Sequence, residues 1–268
     1  MEKFWLNGIA VFPFGSEGEI MDYADKHKGI LIAVNAEKTI NASARLRQII
    51  NDNIGYCDGM GAVKAAQKKG FEKATRIPGC ELWLKIIAAH QNASFYLIGT
   101  TDEIIAETVE KLRNEFPGIN IVGYHNGFLK NDDEKSSLIN DVAAKKPDFV
   151  FVAMGSPRQE YLMEELLQSH RAVYQGLGGS FDLYTGHFKR APKFFQRINC
   201  EWLWRFVAQP ARITRIGPYL RLAIRPYTNR PEHTPNNPQD KDPVAVPQHN
   251  TLPCLTQPPT HPTTTAKT

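Results

Sequence analysis

Asp148-Phe149-Val150-Phe151-Val152-Ala153-Met154 is the stretch that decides the fold. Its apolar residues do not alternate with polar ones, so both faces must be buried. That is the mark of a strand inside a parallel sheet. Gly155-Ser156-Pro157-Arg158-Gln159-Glu160 follows at once and opens a helix. With Ser156 as N-cap, Pro157 at N1 and Gln159 at N3, this segment predicts a capping box.

The same strand-then-helix unit recurs on either side. Ile30-Leu31-Ile32-Ala33-Val34 is a buried strand, followed by a helix from about Thr39 to Asn51. Phe95 to Gly99 is another strand. Thr101 caps the next helix, with Asp102 and Glu103 in the first turn at the positive end of the dipole. Ile119 to Gly123 is a strand, Asn131-Asp132-Asp133-Glu134 opens a helix, and Ala172 to Gly176 is the last strand. Strands separated by amphipathic helices predict an α/β fold: a Rossmann-like, mostly parallel sheet flanked by helices. Such sheets bind ligands beyond the carboxyl ends of their strands. The loops after Val34, Tyr56, Met154 and Gln175 are therefore the places for a site.

Composition divides the chain into three parts. Residues 1–195 carry the α/β core. Residues 196–230 form a basic helical appendage. From His187 to Arg230 the chain has about ten Lys and Arg against one acid, Glu201, so the net charge of +4 belongs to this stretch and the remainder is mildly acidic. Residues 231–268 hold about nine of the 18 prolines and few large apolar groups, which predicts a disordered, dispensable tail. Cys57, Cys80, Cys200 and Cys254 lie far apart with no C-x-x-C pair, which argues against a zinc ribbon and suits a reducing compartment. The opening Met1-Glu2-Lys3-Phe4-Trp5-Leu6-Asn7 shows no secretory pattern. No run of about 18 apolar residues is present to span a bilayer. The expected place is the cytoplasm.

Four loops can carry chemistry. In Ala33-Val34-Asn35-Ala36-Glu37-Lys38, Asn35 either hydrogen-bonds a sugar or base, or caps a helix. In Tyr56-Cys57-Asp58-Gly59-Met60-Gly61, Asp58 is either the carboxylate base that a glycosyl transfer requires, or part of an Asp-Gly turn. Gly155 to Glu160 is a capped helix start, and equally a nucleotide or anion site. In Gly176-Leu177-Gly178-Gly179-Ser180-Phe181-Asp182 the glycines admit a ribose or diphosphate to the backbone. Phe181 stands where a dinucleotide fingerprint needs glycine, which disfavours NAD. P-loop and serine-hydrolase motifs are absent, and the eight histidines show no H-x-x-x-H spacing, so neither a cofactor nor a metal is expected.

The late segment contains Glu201-Trp202-Leu203-Trp204-Arg205, then Gln209-Pro210-Ala211-Arg212-Ile213-Thr214-Arg215. Arginines interleaved with Trp, Leu and Ile suit a helix lying on an anionic membrane surface. No nucleic-acid-binding motif accompanies the charge, so nucleic acid is not the expected partner.

Val34-Asn35-Ala36-Glu37, Tyr56-Cys57-Asp58-Gly59, Arg76-Ile77-Pro78-Gly79, Ala153 to Glu160, Gly176 to Asp182, Gly186 to Pro192 and Glu201 to Arg205, in this order, resemble the TagA/CpsF-type family of bacterial glycosyltransferases. The resemblance runs from about Phe4 to Tyr227. Asn35 to Lys38 and Ala153 to Pro157 look most like the branch that serves enterobacterial common antigen synthesis. It implies inverting transfer of N-acetyl-D-mannosaminuronic acid (ManNAcA) from its UDP donor to N-acetylglucosamine on undecaprenyl diphosphate. The enzyme would lie at the inner face of the bacterial plasma membrane and require no metal. The resemblance also implies roles for individual residues: Asp58 as base, Gln159 near the donor, and Gly155, Gly176, Gly178, Gly179 and Asp182 around the nucleotide. Asn35 joins that site, and Arg205, Arg212 and Arg215 supply positive charge to it. The teichoic-acid members have threonine where this chain has Ala33, so that hydroxyl contact does not carry over. Two alternatives stand beside this reading: a UDP-ManNAc transferase of teichoic-acid or capsule type, and a non-catalytic nucleotide-sugar or nucleic-acid binder. The sequence leaves the oligomeric state unassigned.

Overall fold

The computed structural model describes residues 1–187. The appendage at 196–230 with Arg205, Arg212 and Arg215, and the tail at 231–268, lie outside the described residues. The chain opens with β1 (Phe4–Leu6) and β2 (Ile9–Val11), an antiparallel pair. Asn7 and Gly8, both at positive φ, turn between them, as an Asn-Gly hairpin turn requires. Then come α1 (Glu17–His27), β3 (Gly29–Val34), α2 (Ala36–Asn41), α3 (Ala44–Asp52), β4 (Ile54–Cys57), α4 (Met60–Lys68) and α5 (Gly79–Ala89). The second half has β5 (Ser94–Gly99), α6 (Asp102–Glu115), β6 (Asn120–His125), α7 (Asp132–Lys145), β7 (Phe149–Ala153), α8 (Arg158–Ser169), β8 (Val173–Gly176) and α9 (Ser180–Thr185).

Six of these strands form one sheet in the order β4-β3-β8-β7-β5-β6. Every neighbouring pair in it is parallel. Alternate residues of each strand feed two cores, one per face. Ile30, Ile32, Val34, Val150, Val152 and Tyr174 pack under α3, α4, α7 and α8. Leu31, Phe95, Leu97, Phe149 and Phe151 pack under α1, α5, α6 and α9, with Trp83 at the centre. Burial on both faces explains why the central strands have no alternating pattern. Edge strand β6 is only partly covered.

Two local expectations are corrected. The single helix over Thr39 to Asn51 is two helices, α2 and α3. Ala42 is extended, and the Ser43 hydroxyl accepts the Leu46 N–H at 3.2 Å. A good N-cap in mid-run ends one helix and starts another. The capping box at Ser156 is not formed. Pro157 is the N-cap of α8, no side chain caps the helix, and the Ser156–Pro157 peptide is cis. The Gln159 side chain, which the box needed, is used elsewhere. By contrast Thr101 and Asn131 do cap α6 and α7, accepting from Ile104 N–H and Glu134 N–H.

Candidate active site

All six parallel strands point their carboxyl ends the same way, and the loops singled out in the sequence gather there. The loops after β3 and β4 are stitched together by one carbonyl: Val34 O accepts from Asp58 N–H at 3.1 Å and from Gly59 N–H at 3.3 Å. Gly59 lies against Asn35, whose Cα would be 3.4 Å from any Cβ there. Asn35 and Asp58 are therefore neighbours. Asn35 does cap α2, its Oδ1 accepting the Lys38 N–H at 3.1 Å. One side-chain oxygen is thus committed to the fold, which leaves the amide N–H groups as the part able to meet a ligand.

Asp58 is held by a helix that the sequence reading passed over. Its Oδ1 accepts from Gly79 N–H at 3.1 Å, the first residue of α5, and its backbone O accepts from Arg76 Nε at 2.9 Å. Pro78, the N-cap of α5, provides no side-chain acceptor, so Asp58 satisfies an orphan donor from outside the helix. Its carboxylate also faces the positive end of the helix. Gly79 is a junction. Its carbonyl accepts from Gln175 Nε2 at 3.0 Å, tying β8 to the same turn. A Cβ at Gly79 would lie 2.8 Å from the Tyr56 hydroxyl and 3.3 Å from Ala33 Cβ, so only glycine fits. Beneath it, the buried Tyr56 hydroxyl and the Gln175 side chain lie against each other, but neither Tyr56 Oη nor Gln175 Oε1 makes a well-aligned hydrogen bond among the described residues. Burial, with Asp58 nearby adding negative charge, holds the Tyr56 phenol well above its usual range. Burial likewise pushes the Cys57 thiol up to about 12, which leaves no thiolate nucleophile beside Asp58.

The third bridge runs through α8. Lys38 of α2 pairs with Glu160 at 3.3 Å, with side chains 10% and 1% exposed. Glu160 Oε1 also accepts from Gln159 Nε2 at 3.0 Å, and Gln159 Oε1 accepts from Gly178 N–H at 2.9 Å. Gln159 is itself buried, so in this arrangement it supports the glycine loop from below. Gly176 is small for the same reason. A Cβ there would stand 2.5 Å from Gln159 Nε2. Gly178 and Gly179 differ from it: a Cβ at either would meet nothing within 4 Å, and Gly178 has φ +62°. Gly155, at φ +76°, is equally open. Among the glycines of these loops, these three leave backbone accessible, as a ribose or diphosphate would need. Asp182 lies in the first turn of α9, partly exposed.

The sequence reading also missed the loop after β5. The connection from β5 leads to β6, while that from β7 leads to β8 on the other side, so the direction in which the next strand is added reverses between the parallel strands β5 and β7. Thr100 sits there at φ +50°, its N–H donating to Ala153 O and its O accepting from Gly127 N–H. A β-branched residue at positive φ is costly and needs such bracing. The available signal was Gly99-Thr100-Thr101 directly after a buried strand, but strand order cannot be read from the sequence.

Among the described residues no helix is long and apolar enough to cross a membrane. A family model described as the Glycosyl transferase WecG/TagA/CpsF family matches residues 16–231. It therefore takes in the Asn35, Asp58, Gln159 and Gly178 loops together. That family implies UDP-sugar transfer to lipid-linked acceptors in cell-surface polysaccharide synthesis. With most of its length so matched, and with the parallel sheet and its loops in place, the chain belongs to the WecG/TagA/CpsF family of glycosyltransferases.

Proposed function

We propose that this chain is an inverting glycosyltransferase that moves ManNAcA from its UDP donor to N-acetylglucosamine on undecaprenyl diphosphate, in enterobacterial common antigen synthesis. The observation that carries the chemistry is the placement of Asp58. Its carboxylate stands at the carboxyl end of β4, beside Asn35, with one oxygen fixed by the Gly79 N–H. In this reading the other oxygen takes the proton of the acceptor hydroxyl. The hydroxyl oxygen bonds to the anomeric carbon on the face opposite UDP, the bond to the diphosphate breaks, and the configuration inverts. The open backbone at Gly155, Gly178 and Gly179, with Asp182, receives the nucleotide. Arg205, Arg212 and Arg215 neutralise the leaving diphosphate, a task suited to bidentate guanidinium groups. The basic stretch holds the enzyme on the inner face of the membrane, at about 1 kcal/mol per basic residue near an anionic surface.

The choice of donor rests on Asn35-Ala36-Glu37-Lys38 and Ala153-Met154-Gly155-Ser156-Pro157. The test is a donor screen against one diphospho-lipid-linked N-acetylglucosamine. Product from UDP-ManNAcA, with inverted anomeric configuration and in excess EDTA, is expected. Product from UDP-ManNAc alone would move the chain to teichoic-acid or capsule chemistry. No product from either donor would overturn the proposal.

A further inference from the structure

Glu160 is an unusual residue in this fold. It is a carboxylate 1% exposed on a helix between two parallel strands, and nothing in the transfer chemistry uses it directly. It costs the fold desolvation, and Lys38 offsets only part of that. Its Oε2 has no hydrogen-bond partner among the described residues. A pair that served stability alone would be matched by two apolar side chains of the same size. The contacts of Oε1 suggest what the pair is for.

A glutamine amide can be turned over by 180°, exchanging its donor and its acceptor, and only its neighbours decide between the two. At Gln159 the neighbours are a backbone N–H, from Gly178, and the Glu160 carboxylate. A carboxylate only accepts. It therefore forces Nε2 to face it and Oε1 to face Gly178. Lys38, at 3.3 Å from Oε1, holds that carboxylate in place. Lys38 belongs to the helix that Asn35 caps, so the chain of contacts joins the loop after β3 to the loop after β8. We propose that Glu160 is a positioning residue: with Lys38 it sets the orientation of the Gln159 amide and so fixes the shape of the open Gly178–Gly179 loop. This rests on the reading of that loop as part of the nucleotide site. A loop left free to adopt other shapes binds more weakly, by the fraction of time it spends in the right one.

Two double variants separate positioning from packing. K38M/E160Q removes the ion pair but keeps an oxygen for Gln159 Nε2. K38M/E160M removes the ion pair and the acceptor together. Neither leaves a buried charge alone, so both should melt within a few degrees of the parent. Either single change, K38M or E160M, should lower Tm by roughly 10 °C. Affinity for UDP is expected to fall in the order parent, K38M/E160Q, K38M/E160M, with the last about tenfold weaker, as for one lost hydrogen bond. The Gly178 amide resonance should move in K38M/E160M and lose its protection from exchange. If both double variants match the parent in UDP affinity and in the Gly178 resonance, Glu160 is a structural residue and the proposal fails. The parent alone gives a second check that needs no variant. Its Gly178 N–H must be protected from hydrogen exchange, and fast exchange there overturns the idea. Absence of UDP binding by the parent would instead count against the proposed function, and the amide measurements would still decide this one.

Discussion

The two ends of the parallel sheet are both polar, but they are built differently. At the amino end the polar groups close on one another. Asp148 and Ser94 form a reciprocal clasp: Asp148 Oδ2 accepts from Ser94 N–H at 2.8 Å and Oγ at 2.7 Å, and Asp148 N–H returns to Ser94. His90 meets Asp25 at 2.9 Å, and His170 meets the Pro147 carbonyl at 2.8 Å. At the carboxyl end, among the described residues, Tyr56 Oη, Gln175 Oε1 and Glu160 Oε2 are buried without a well-aligned hydrogen bond, and Gly155, Gly178 and Gly179 leave backbone open. Positive φ does not distinguish the ends, since Lys28 and Lys146 at the amino end share it with Thr100. A fold tolerates such costs where a ligand or a reaction repays them. Three of the four buried side-chain atoms without a well-aligned partner among the described residues lie at this end, the fourth being Arg47 Nε on α3, which agrees with the placement of the loops.

The contrast breaks most visibly at Asp58. Asp58→Asn keeps an oxygen to accept from Gly79 N–H but removes the base. Turnover should fall by about 10²–10⁴, while UDP affinity and Tm stay near those of the parent. Steady-state rates and calorimetry on the same preparation check this. Turnover within a few-fold of the parent would remove Asp58 from its role as base.

The glycines give the next largest effect, and they should not behave alike. Gly176→Ala puts a Cβ 2.5 Å from Gln159 Nε2 and 3.1 Å from Met163 Cε. Gln159 is fixed at both ends of its amide, so it cannot yield cheaply, and about 1–3 kcal/mol of stability should be lost. Gly178→Ala meets no atom but strains a positive φ, at about 1–2 kcal/mol. Gly179→Ala, at φ −103° in open space, should be nearly neutral for the fold. Urea unfolding of the three variants ranks them. A Gly176→Ala as stable as the parent would show that the Gln159 amide is not held as described.

Much of this was legible in the sequence, and the parts that were not share a cause. Asp148 to Met154 announced a parallel sheet because burial on both faces writes itself as an unbroken apolar run. Thr101 and Asn131 were readable as caps because capping is local. Ser156 deceived because its residue types fit a capping box, while the side chain that would complete it, Gln159, is claimed by Gly178, 19 residues away. Asp58 could be picked out beside its glycine, but its partner Gly79 is 21 residues on. Contacts made across strand order, such as Lys38 with Glu160, leave no local pattern. Asn7-Gly8 between two short apolar runs was a signal for β1 and β2 that went unused.

A smaller effect is expected at Tyr56. Its hydroxyl lies in the core beside the Gln175 side chain but makes no well-aligned hydrogen bond among the described residues, and an unbonded buried hydroxyl costs about 1–3 kcal/mol. Tyr56→Phe should therefore leave the urea midpoint unchanged or raise it slightly. A clear fall would show that the hydroxyl is bonded, and that the carboxyl end is less frustrated than the contrast requires.

The smallest effect belongs to the amino end and appears only in acid. The Ser94 backbone N–H, together with the Ser94 hydroxyl, holds the Asp148 carboxyl below its usual range, and Lys28 adds to this. A carboxyl whose folded pKa is lowered binds fewer protons in the folded state than in the unfolded one. Its contribution is complete above the unfolded value, about 3.9, and is lost as pH falls through the folded value. The group is largely exposed, so screening keeps the contribution small. Asp148→Asn cannot titrate. The variant should match the parent in turnover at neutral pH, because the clasp lies at the far end of the sheet from Asp58. It should lose less stability than the parent between about pH 4 and the onset of acid unfolding. Urea midpoints measured at half-unit steps downward from pH 6 test the slope. Parallel curves would mean that the clasp carries no net charge effect. A loss of turnover at neutral pH would mean that the two ends of the sheet are coupled, and the contrast between a closed end and an open one would no longer hold.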